Sequence, residues 1–314
     1  MLPPRRGLED NDDVRQATSS SPHLQAAERL RDKFNIGKLR AARSLVEGRV
    51  RFVALRSRDF RLLLAGQAVS LTGTQMQQVA VVWQLYLLTG SPLLLGMLGL
   101  FRVTPVILFA LGGGVAADAF DRRKLMIASQ TGMMLASLGL LAATHAGTVT
   151  PGVIYGLAAL SGVASALDTP ARQALVPQLV TKEELPNALS IYTSVYQVAA
   201  ITGPALGGAL LAWKGVEPIY LADVASFVAV IAALLLMEHK APSRGLAGLS
   251  AGAALEGLRF LRRTPLIFTT MMLDFAATFL AGSLLLLPIF ADQLLRVGPR
   301  GLGLLYAAPP AGAA

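Results

Sequence analysis

From Leu62 onward the chain is a succession of apolar runs, each about as long as a lipid bilayer is thick. They fall at 62–88, 93–117, 125–144, 151–169, 189–212, 217–237 and 265–291, and an eighth opens at 301. Crossing ~30 Å of hydrocarbon takes about 20 residues at the helical rise. The runs are continuous rather than alternating, which excludes barrel strands, and a helix bonds every backbone group within its own segment. The expected fold class is therefore all-α, a polytopic membrane protein. Composition agrees, since 54% of the 314 residues are hydrophobic and 15% charged, against ~25% charged in soluble domains.

The charges predict an orientation. Residues 1–61 hold 14 of the 28 Lys and Arg, with 8 of the 19 Asp and Glu. That arm and the connectors expected on its side carry 24 basic residues, whereas the opposite connectors carry only Lys214, Arg296 and Arg300. Basic loops remain cytoplasmic, so a cytoplasmic N-terminus in a plasma membrane (the bacterial inner membrane) is expected. The same bias accounts for the sequence pI of about 10.2 without nucleic-acid binding.

Four regions follow: a basic arm over 1–60, six spans over 61–237, a longer cytoplasmic loop over 238–264, and the opening of a second set over 265–314. The arm begins with a polar stretch expected to be disordered. Residues 26–58 have the pattern of a basic amphipathic helix suited to anionic lipid. No apolar run before Leu62 has the length of a signal-peptide core.

Several chemistries are excluded. The chain has no cysteine and three scattered histidines, which leaves neither thiolate nor His-based metal sites. It carries no glycine-rich phosphate loop, no nucleophile elbow and no His-Glu-x-x-His helix. No enzyme activity, cofactor or metal is expected.

Polar residues inside the spans point to a path through the membrane. On the first span Gln67, Ser70, Thr74, Gln77 and Gln84 form one helical stripe with Gln78 beside it, and polar faces avoid lipid. The fifth span repeats the pattern with Ser190, Thr193, Ser194 and Gln197, and the seventh with Thr270, Asp274 and Thr278. Cavity lining and interhelical hydrogen bonding both satisfy such a stripe. Arg102, Asp223 and Asp274 are ionisable groups within spans, each costing at least ~2.5–3.5 kcal/mol at the bilayer centre. The two carboxyls are candidates to carry a coupling proton. Asp223 is only about six residues from the outer boundary, where an interfacial position is the alternative.

Asp118 ends the second span, where the helix dipole disfavours a carboxylate; it needs a cationic partner, and Arg122 lies four residues on. The loop Gly114-Val-Ala-Ala-Asp118-Ala-Phe-Asp121-Arg122-Arg123-Lys124 resembles the signature of the major facilitator superfamily, with Ala119 where Arg is common and Asp121 where Gly is usual. On the fifth span, Gly203-Pro204-Ala-Leu-Gly207-Gly208 is similar to the superfamily's antiporter motif, with Ala199 replacing its upstream glycine. A proline lacking a backbone donor among small residues suggests a bend there. Asp168-Thr-Pro-Ala-Arg172-Gln-Ala-Leu-Val-Pro177 resembles the branch that exports enterobactin and macrolides.

The resemblance spans about residues 57–314. It implies two six-helix halves rocking around a central site, with the last four or five spans beyond this sequence. It also implies that Asp118 and Arg122 latch the cytoplasmic side, with Asp168 as the candidate partner of Arg122. The implied function is secondary active transport, with a small amphiphilic molecule exported against protons or another coupling ion. An uptake carrier, or a non-transporting truncated protein or scaffold, is the alternative.

Overall fold

Ser57 opens the first long helix by accepting a hydrogen bond from the Phe60 N–H at 3.3 Å, and Gly90 closes it in the left-handed conformation, φ 61°. The computed structural model describes residues 53–119, 121–238, 264–280 and 282–313, with side chains described except at 110–119, 274–275 and 277–283. Residues 1–52 of the basic arm, most of its amphipathic stretch among them, and most of the 238–264 loop therefore lie outside the described residues, while Val53–Arg56 form a 3-10 turn. The helices are α1 (Arg58–Thr89), α2 (Pro92–Ala119), α3 (Arg122–His145), α4 (Pro151–Leu179), α5 (Leu185–Lys214), α6 (Glu217–Leu236), α7 (Pro265–Leu280) and α8 (Gly298–Ala313).

Local chemistry sets the boundaries. Asp121 Oδ1 accepts from the Arg123 and Lys124 N–H groups at 2.9 and 3.4 Å, so this departure from the motif caps α3. Thr150 caps α4, and Pro151, Pro186 and Pro218 occupy first-turn positions whose N–H has no intrahelical acceptor.

Among the described residues, α3, α4, α5, α6 and the Pro92–Phe109 part of α2 are long and apolar enough to cross a membrane. α1 is 32 residues long, about 48 Å at helical rise, but its glutamines dilute its apolarity. It packs between α5 and α6, and its polar side chains turn inward. Successive helices run in opposite directions. Arg58, Glu238 and Arg123 gather at one end, where Arg58 pairs with Glu238 and Arg123 donates to the Leu235 carbonyl at 2.8 Å. Gln84, Thr144, Tyr220 and Glu217 gather at the other.

Two boundaries differ from the sequence expectation. The fourth helix does not stop near 169 but runs to Leu179 through Pro170 and Pro177. Ala171, Leu175 and Leu179 are buried, and their spacing of four places them on one helical face that holds the extra turns. The seventh run is not one helix to 291. After Leu280 the chain continues as a 3-10 segment (Gly282–Leu286), one α-turn and a π-turn (Phe290–Leu294). Pro288, which cannot donate, sits at the α-turn, and Leu295 N–H reaches back five residues to the Phe290 carbonyl at 2.8 Å.

The interior is layered. One apolar cluster at the Arg58 end includes Phe60, Leu63, Met126, Leu175, Val230 and Leu234. Another at the Thr89 end includes Leu85, Leu98, Leu140, Ile154, Ile219 and Tyr220. Every long helix that contributes to both clusters places small or polar residues between them, and those residues form the candidate site.

Candidate functional site

The centre of the polar layer is an ion pair. Asp168 Oδ2 meets Arg172 Nη2 at 3.0 Å across one turn of α4, with the side chains 3% and 17% exposed. Asp168 Oδ1 accepts from Gln130 Nε2 at 2.9 Å and lies 3.2 Å from Ser129 Oγ. Arg172 Nη1 donates to Gln67 Oε1 at 3.1 Å and to the Tyr192 hydroxyl at 2.7 Å. The network therefore ties α1, α3, α4 and α5 at one height. A buried pair survives desolvation only when its remaining donors and acceptors are satisfied, and here both ends have polar partners.

This geometry corrects the expected partnership of Asp168 with Arg122. Asp168 lies eleven residues before the end of α4, about 16 Å along it, level with Ser129 and Gln130. Arg122 begins α3, seven to eight residues before those partners, a rise of about 11 Å. Arg172 shares the helical face of Asp168 and takes its carboxylate instead. Arg122 forms no ion pair among the described residues, and its Nε is buried without a hydrogen-bond partner.

α1 and α3 are joined by a polar ladder of constant offset. Ser70 Oγ donates to Gln130 Oε1 at 3.5 Å, Gln77 Nε2 to Ser137 Oγ at 2.9 Å, and Gln84 Nε2 to Thr144 Oγ1 at 3.0 Å. Each pair is sixty residues apart in sequence and seven residues beyond the previous one. Seven residues are nearly two helical turns, so two parallel helices can repeat the contact. The Tyr220 hydroxyl completes the top rung by donating to Gln84 Oε1 at 2.7 Å. Gln67 and Gln84 are thus held in interhelical bonds. Gln77 also borders a small cavity with Arg102 and Ser161, of about 20 Å³. At that size it admits no more than about one water molecule.

Asp223 is fully buried rather than interfacial. Its Oδ1 accepts from Thr74 Oγ1 at 3.4 Å, while Oδ2 has no partner among the described residues. Gly73 opens the space it occupies: a Cβ there would fall 2.4 Å from Ser226 Oγ and 3.1 Å from Asp223 Oδ1. Gly162 lets the α2 backbone come close to α4, since a Cβ there would lie 2.6 Å from the Arg102 carbonyl oxygen.

The Gly-Pro motif of α5 joins helices. A Cβ on Gly203 would lie 2.5 Å from Gln75 Cβ on α1, and one on Gly207 3.0 Å from Met76 Cα. A Cβ on Gly208 would lie 2.7 Å from Gly303 Cα on α8. α5 continues through Pro204 to Lys214.

The other expected residues divide. Gln197 donates to the Pro310 carbonyl of α8, and Gln78 is half-buried on α1. Ser190, Thr193 and Ser194 bond back to carbonyls of their own helix and remain exposed. Thr270 does likewise on α7. The side chains of Asp118, Asp274 and Thr278, and the surroundings of Gly114, lie outside the described set. Sequence reasoning assigned no role to Ser129, Gln130, Ser137, Thr144 or Tyr192. The seven-residue spacing of 130, 137 and 144 was the available signal. It also missed Tyr86, whose hydroxyl donates to Asp292 Oδ2 at 2.7 Å in the π-turn.

Among the described residues, a helical bundle with five helices long and apolar enough to cross a membrane, around a buried polar layer, defines a polytopic membrane protein. Residues 50–314 match the family model described as transmembrane secretion effector, and the chain belongs to that family. It is a family of transporters, not of enzymes. The chain is 29% identical over 166 residues to the staphyloferrin A transporter of Staphylococcus aureus, covering 52% of this chain and 42% of that protein. It is 28% identical over 218 residues to the uncharacterized MFS-type transporter YfiS of Bacillus subtilis, covering 67% and 51%. It is also 28% identical over 256 residues to the enterobactin exporter EntS of Shigella boydii, covering 81% and 61%. The chain thus spans about half the length of the curated relatives it matches.

Proposed function

We propose that the chain forms the first half, and the opening of the second, of a proton-coupled exporter of small amphiphilic molecules of drug or siderophore type. It works by alternating access in a bacterial inner membrane, with its N-terminus in the cytoplasm. The observation that carries this reading is the polar layer between two apolar clusters, in which Asp168 and Asp223 are buried and Arg102 and Arg172 half-buried. Ionisable groups at membrane depth are costly and mark substrate or ion pathways. The two relatives named for siderophore transport support the substrate class. The concentration of basic residues on the arm and alternate connectors supports the orientation.

Asp223 and Asp274 are the proposed proton carriers. Gln67, Thr74, Gln77, Gln78, Gln84, Arg102 and Gln197 line the path once the halves separate. Gly114, Asp118, Asp121, Arg122, Arg123 and Lys124 form the cytoplasmic gate, in which Asp118 and Arg122 are the latch; Asp168 acts with Arg172. The basic arm lies on anionic lipid. The test is export of a fluorescent amphiphile and of a catecholate siderophore from exporter-deficient cells carrying the whole gene. Efflux abolished by an uncoupler supports the reading. Uncoupler-insensitive equilibration contradicts it.

A further inference from the structure

A lateral groove of about 710 Å³ opens between α3 and α6 at the Thr89 end of the bundle. Leu138 and Leu141 of α3 and Leu221 of α6 form its apolar wall; His145, Lys214 and Glu217 form its rim. Leu138 and Leu221 are 43% and 58% exposed, so the wall faces the surrounding lipid. Leu138 to His145 is a rise of about 10 Å along one helical face, which separates the apolar zone from the charges as acyl chain and headgroup are separated. Trp213, 72% exposed with the Lys214 ammonium 4.3 Å above its ring, marks the depth of the membrane–water interface, where Trp concentrates.

The rim carries both signs of charge. Lys214 is cationic, while Glu217 is anionic with His145 Nδ1 at 3.5 Å. An anionic headgroup gains from Lys214 but is opposed by Glu217. A zwitterionic headgroup satisfies both, its phosphate on Lys214 and its cation on Glu217. A primary ammonium offers three N–H donors to the carboxylate, whereas a choline offers none. From this we infer that the groove is a binding site for one phosphatidylethanolamine molecule of the adjoining leaflet. The site is independent of the transported substrate and of the direction of transport.

Native mass spectrometry of the purified full chain in detergent, after exposure to dioleoyl phosphatidylethanolamine, phosphatidylcholine or phosphatidylglycerol, tests this. Phosphatidylethanolamine is expected to be retained about tenfold over phosphatidylcholine, the scale of one charge-assisted hydrogen bond. Glu217→Gln should bring that ratio near one, Lys214→Gln should lower retention of both, and Leu138→Trp should block the groove. All three positions are exposed, so the fold tolerates the changes. Equal retention of the three lipids, preference for phosphatidylglycerol, or an ethanolamine preference that survives Glu217→Gln overturns the assignment.

Discussion

Asp168 and Arg172 face each other at 3.0 Å across one turn of α4, inside the bundle and about 16 Å from the end of their helix. Breaking such a pair leaves one buried charge without its partner, which costs about 3–5 kcal/mol, whereas replacing both by apolar groups is often neutral. Asp168→Ala and Arg172→Ala should each lower the unfolding temperature in detergent far more than Asp168→Leu/Arg172→Met. A double variant no more stable than the singles would show that the pair is not energetically coupled.

The ladder between α1 and α3 makes a milder prediction. Gln77→Leu and Ser137→Ala each orphan a buried polar group, a loss of about 1–3 kcal/mol. Membrane hydrogen bonds couple weakly in double-mutant cycles, about 0.6 kcal/mol on average and 1.7 at most. A Gln77–Ser137 cycle should therefore return a coupling within that range. Zero coupling would mean that the two side chains do not bond.

Close packing at α5 is testable by adding one carbon. Gly208→Ala places a methyl 2.7 Å from Gly303 Cα and the Pro299 carbonyl oxygen, a backbone clash that costs about 1–3 kcal/mol. Gly96→Ala meets nothing within 4 Å and should leave thermal stability unchanged. Equal effects from the two substitutions would contradict the close approach of α5 to α8.

Asp118 and Asp121 are assigned different tasks, although three residues separate them. Asp121→Ala removes the cap of α3 and should cost about 1 kcal/mol of stability, with transport lowered but not abolished. Asp118→Asn should abolish transport at unchanged surface abundance. Unimpaired transport by that variant would remove the latch.

The all-helical class and most helix positions follow from apolar run lengths, because the bilayer leaves the backbone few options. The end of α4 was not legible: Pro170 and Pro177 suggest a stop, and only tertiary burial of Leu175 and Leu179 carries the helix onward. The polar stripe of α1 was visible, but its partners were not. Periodicity identifies a face without saying whether that face meets water or another helix. Arg172 outcompetes Arg122 for Asp168 through depth, a quantity that depends on where two helices begin and end. Asp292 was hidden because π-turns have no simple sequence signature.

Asp223 is buried with one carboxylate oxygen unpartnered among the described residues. The decisive measurement is substrate uptake into inside-out vesicles driven by an imposed pH gradient, with Asp223→Asn, Asp274→Asn and the double variant compared at equal abundance. Loss of gradient-driven uptake in at least one single variant and in the double variant, with substrate exchange across the membrane retained, is the predicted result. Full gradient-driven uptake by all three contradicts the central claim that Asp223 or Asp274 carries the proton.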